Sequence, residues 1–79
     1  MVIDLVVSTY FTMPSGGVAY DVLINGKGQG YMWRHEDDNE WRVSVNAFGA
    51  PHDTCEFTMV GSEEEVQAEI CQRLEKYYA

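Results

Sequence analysis

Between residues 2 and 60 the chain alternates apolar and polar positions in short runs. After residue 62 the spacing changes to that of a helix. The first run, VIDLVVSTYF (2–11), is β-branched and aromatic. In an extended strand Ile3, Leu5, Val7, Thr9 and Phe11 share one side, and Val2, Asp4, Val6 and Ser8 the other. Pro14 and the Gly16–Gly17 pair then break the strand. VAYDVLI (18–24) reads as a second strand, with Val18, Tyr20, Val22 and Ile24 opposite Ala19, Asp21 and Leu23. Asn25–Gly26 follows, a pair whose tolerance of positive φ suits a two-residue hairpin turn.

The third predicted strand is QGYMWRH (29–35), where Tyr31, Trp33 and His35 alternate with Met32 and Arg34. Tyr31, Trp33 and Trp41 are expected in the core, leaving Met32 outside with Val6 and Leu23. The fourth is EWRVSVNA (40–47), with Trp41, Val43 and Val45 inward and Arg42, Ser44 and Asn46 outward. A loop punctuated by Gly49 and Pro51 leads to a short fifth strand, CEFTMV (55–60), with Cys55, Phe57 and Met59 on one face.

Residues 63–78 read as a helix. Ser62 and Glu65 have the spacing of a capping box, and Glu63, Glu64 and Glu65 suit the positive end of the helix dipole. Val66, Ile70, Leu74 and Tyr77 form one apolar stripe, and Glu69 and Arg73 are an ordered i,i+4 pair. The expected fold is α+β: one domain over residues 1–79, an antiparallel meander of about five strands with a C-terminal helix on one face.

Thirteen acids against five bases give a net charge of −8. Such a chain repels nucleic acid and anionic membrane and attracts basic surfaces, so neither direct nucleic-acid binding nor membrane binding is expected. No run approaches the roughly 18 apolar residues of a membrane span, and Asp4 interrupts the first apolar run where a signal peptide would need continuity. A cytoplasmic setting, with Cys55 and Cys71 reduced, is the expectation.

Catalytic patterns are weak. The glycines of GKGQG are followed by a strand, whereas a phosphate loop needs a helix there. His52, Asp53 and Cys55 with His35 offer one close ligand pair where a closed zinc site needs two. Cys55 faces the core, which blunts a thiol as nucleophile. The acids at 36–40 share one wet tip and lack the contrasting environments of a general acid–base pair. The expectation is a non-enzyme without cofactor or metal.

What remains is the acid distribution. HEDDNEWR (35–42) places Glu36, Asp37, Asp38 and Glu40 at a hairpin tip, and Glu64 and Glu65 stand out from the helix start. Fixed carboxylates imitate the phosphate spacing of a duplex and fit a Lys/Arg groove. These six residues are the candidate partner-binding set. The stretches YDVLINGKGQGYMWRHEDDNEWRVSV and GSEEEVQAEICQRLEKYY give the chain a layout that resembles small acidic proteins of phages and other mobile elements. Anti-CRISPR inhibitors, several of which block nucleic-acid-binding effector complexes, are among them. The resemblance lies in size, charge and layout, and implies an inhibitor that acts as a DNA mimic and is held by the basic surface of a CRISPR effector. The alternative is a structural or assembly protein that joins subunits through a sheet edge or through Val6, Leu23 and Met32.

Overall fold

The computed structural model describes residues 1–9, 16–47 and 50–78, and the side chains of all of these except 47, 50–54 and 76–78. The far end of the first predicted strand (Tyr10, Phe11), Pro14 and Gly49 lie outside the described residues, as do the side chains of Pro51, His52, Asp53 and Tyr77. Five strands form one antiparallel sheet in chain order: β1 (Ile3–Val7), β2 (Val18–Ile24), β3 (Lys27–Arg34), β4 (Glu40–Ala47) and β5 (Ala50–Val60). One helix, α1 (Glu63–Tyr78), follows. The α+β meander expected from the alternation is the observed fold.

The helix seals one face. Val66, Ile70 and Leu74 are buried against Val22, Ile24, Met32, Trp41, Val43 and Val45. Each such aliphatic side chain contributes about 1.5–3 kcal/mol of burial. Both capping-box bonds are present: Ser62 Oγ accepts the Glu65 N–H at 3.2 Å, and Glu65 Oε1 accepts the Ser62 N–H at 3.0 Å. Glu69 and Arg73 pair at 2.8 Å, and the Arg73 guanidinium lies over Phe57, 4.2 Å from the ring centroid. On the other flank the Gln67 side-chain amide donates to the Ile3 carbonyl, which ties the helix to β1.

Three sequence expectations require correction. The first strand ends at Val7, and beyond it the Ser8 N–H donates to Ala19 O at 3.0 Å. The fifth starts at Ala50, five residues early: Asn46 pairs with Thr54 and Ala47 with Ala50 across a register shift. Pro51 is tolerated there because β5 is an edge strand.

The third correction is the facing of β3. Asn25 (φ 52°) and Gly26 (φ 83°) form the expected tight turn, so Ile24 pairs with Lys27 and Leu23 with Gly28. Val22 then pairs with Gly30, leaving Gln29 as an extra residue. That bulge inverts the facing of every residue beyond it. Met32, opposite Tyr20 and Val43, is fully buried beneath the helix, while Tyr31 and Trp33 stand on the outer face across from Ser44 and Arg42. Met32 therefore leaves the outer apolar set. Gly30 permits the close approach of β3 to β4: a Cβ there would sit 2.1 Å from Ser44 O.

Candidate functional site: the acidic end of the sheet

Residues 35–39 connect β3 to β4 in a turn that the chain itself braces. The Asp38 N–H donates to His35 O at 3.0 Å, and Asp38 Oδ1 accepts the Glu40 N–H at 2.9 Å. The short carboxylate bonding two residues onward is the usual reason for Asp in turns. Arg34 Nη1 donates to the Asp38 carbonyl at 3.0 Å, and its guanidinium lies over Trp41, 5.2 Å from the ring centroid. Arg34 thus spends its charge on a main-chain oxygen and an aromatic face. Trp41 is buried, and its Nε1–H donates to Gly61 O at 3.1 Å. That bond fixes the base of the tip to the chain just before the helix.

The register brings the two acid clusters to one end. Glu40 pairs with Val60, three residues before Glu63. The tip and the first helical turn flank an open cleft of about 630 Å³, lined by Arg34, Asn39 and Trp41 on one side and Glu63 and Glu64 on the other. Glu36, Asp37, Glu64 and Glu65 are exposed; Asp38 and Glu40 are half-buried. Among the described residues none of these six carboxylates is in an ion pair, the pair found there being Glu69–Arg73. Two of the six have internal duties: Asp38 holds the turn and Glu65 the helix cap. Glu36, Asp37, Glu40 and Glu64 are the carboxylates left to face a partner.

Sequence reasoning left Glu63, Tyr20 and Arg34 out of the site. The Tyr20 hydroxyl donates to Glu63 Oε1 at 2.9 Å across 43 positions of chain, a contact that no local pattern announces. Burial pushes the Tyr20 phenol above its ordinary pKa of 10.0, the hydrogen bond and negative charge of Glu63 add to the rise, and Arg34 opposes it. Tyr20 and Trp41 also touch, ring centroids 6.1 Å apart. Trp41 therefore gives the cleft an aromatic wall, and Glu63 and Glu64 its carboxylates.

Cys55 and Cys71 are both half-buried against the core and are not joined in a disulfide. Among the described residues no three His, Cys, Asp or Glu side chains are grouped so as to hold a metal ion. No helix among them is long and apolar enough to cross a membrane. Comparison with protein-family models, curated proteins and solved structures returned no match, so the acidic end is read from its own geometry.

Proposed function

We propose that this chain is a non-catalytic inhibitor that places its acidic end in a basic groove of a nucleic-acid-handling protein, in the manner of a DNA mimic. CRISPR effector complexes are the named candidate for the partner, through the layout shared with anti-CRISPR proteins. The observation that supports the reading is the placing of two acid clusters, 36–40 and 63–65, at one end of the sheet, where Glu40 pairs with Val60, Trp41 bonds Gly61, and the nearby cation Arg34 is turned to a carbonyl and a ring. Seven of the thirteen acids lie in those two clusters, Glu36, Asp37, Asp38 and Glu40 with Glu63, Glu64 and Glu65. Concentrating like charge costs the fold self-repulsion, and solubility alone would be served as well by dispersing it. Hairpin bonds and a helix cap hold the main chain of both clusters, so little loop ordering remains to oppose binding.

The test is inhibition of target-DNA binding by purified CRISPR effector complexes, followed by gel mobility shift. The parent chain blocks binding at near-stoichiometric ratio. Glu36→Lys with Asp37→Lys, or Glu64→Lys alone, raises the concentration required by roughly tenfold or more, equivalent to about 1.4 kcal/mol of lost interaction. Asp38 and Glu65 are kept, because their loss would damage turn and cap. A folded Glu36→Lys/Asp37→Lys protein that inhibits as well as the parent would reduce the tip to a solvated turn.

A further inference from the structure

Among the described residues the free edge of β1 is open over a defined segment. The Asn25 N–H donates to Val2 O at 2.8 Å and the Ser8 N–H to Ala19 O at 3.0 Å, so the even-numbered residues of this strand bond to β2. Ile3, Leu5 and Val7 accordingly turn their main-chain groups away from β2, to the side where the sheet ends. Gln67 confirms that direction by bonding the Ile3 carbonyl from outside, and occupies it. The N–H and C=O of Leu5 and Val7 remain without partners among the described residues. Beyond Asp4 the segment carries little protection: it contains no Lys and no Pro, and Val6 and Val7 are 48% and 65% exposed.

We propose that this edge joins a second copy of the chain, β1 to β1, in an antiparallel two-fold pairing centred on Val6. The inference is independent of the acidic end. What selects a second copy is the self-complementarity of the segment. Centring on Asp4 would set two carboxylates face to face, and centring on Leu5 would require the Ile3 carbonyl that Gln67 holds. Centring on Val6 places Leu5 of each copy opposite Val7 of the other, and each of these two pairs exchanges two main-chain bonds. Val6 then meets Val6 of the second copy at the axis, in the non-hydrogen-bonded position where side chains approach closest, and Asp4 lies opposite Ser8. The product is one continuous ten-stranded sheet with two acidic ends.

Sedimentation equilibrium of the whole chain tests this. The expected mass rises with concentration toward twice the 9.0 kDa of one chain. Added salt strengthens the association, because each copy carries a charge of −8. Val6→Lys and Val7→Pro, both at exposed side chains, restore the single-chain mass. The first sets like charges together and the second removes an outward N–H. Val6→Cys gives a disulfide-linked dimer on mild oxidation, since facing positions in such a pair have suitable separation. Asp4→Cys does not exceed the parent, whose Cys55 and Cys71 set the background. Circular dichroism checks that each variant folds; should Val7→Pro fail, Val6→Lys and the cysteine pair decide. A parent that stays at single-chain mass at all concentrations and salts overturns the proposal. So does a dimer indifferent to Val6→Lys, or equal crosslinking through position 4.

Discussion

Asp37 and Asp38 adjoin in the chain, yet only Asp38 has a bond in the turn, its Oδ1 accepting the Glu40 N–H. Removing the acceptor leaves a half-buried N–H without a partner, so Asp38→Ala lowers stability by about 1 kcal/mol. Asp37→Ala stays within about 0.5 kcal/mol of the parent. Urea denaturation of the two variants measures the contrast. Tyr20 and Glu63 give a second prediction. A phenol raised above 10.0 is held neutral by the fold, so its contribution is complete below that value and is lost as pH climbs through the folded pKa. Glu63→Gln removes the negative charge that favours the neutral phenol and moves the Tyr20 titration down toward 10.0. Ultraviolet difference spectra between each protein and its Tyr20→Phe counterpart read that titration directly. The pair also shows a limit of sequence reading: Tyr20 was visible as a strand residue and Glu63 as a first-turn acid, but their meeting depends on where the helix crosses the sheet.

Among the elements, those with strong local chemistry were legible and β3 was not. The capping box, the Val66–Ile70–Leu74 stripe and the Asn25–Gly26 turn each state their geometry in adjacent residues, and all three are found as read. In β3 both faces are apolar, Tyr31 and Trp33 on one and Met32 on the other, so alternation alone does not say which faces in. The answer lies in one extra residue, Gln29, between Gly28 and Gly30. Glycines within a strand are compatible with a bulge, but they do not state its consequence, the inversion of the strand beyond it. Single substitutions test the corrected facing. Met32→Ala costs about 2–5 kcal/mol, as for other fully buried side chains, and Tyr31→Ala, at a half-open outer position, roughly 1 kcal/mol. The reverse order would restore the unbulged register. Gly30→Ala costs about 1–3 kcal/mol through overpacking, because its Cβ would meet main-chain atoms of Ser44 and Val45 that belong to a paired strand.

Across the whole molecule the sign of the charge was plain from composition, and both acid clusters were plain from spacing. Their convergence was not, since it follows from Glu40 pairing with Val60 and from Trp41 bonding Gly61, contacts some twenty residues apart in the chain. This arrangement gives the molecule two surfaces of opposite physical character, and ionic strength separates them. A carboxylate end in a Lys/Arg groove is drawn in by charges that salt screens, so that complex weakens as ionic strength rises from about 0.05 to 0.3 M, where the Debye length falls below about 10 Å. At the proposed β1 pairing the contacts would be main-chain bonds and valines, and the charge term there would be repulsion between two chains of −8. Screening that repulsion strengthens the pairing over the same interval. The two trends, measured on the same preparation by mobility shift and by sedimentation, therefore run in opposite directions. Val6→Lys should abolish the salt-strengthened association and leave the salt-weakened one in place, and Glu64→Lys should do the converse. If one substitution removed both, acidic end and strand edge would form a single surface, and the partner groove would have to accommodate a dimer.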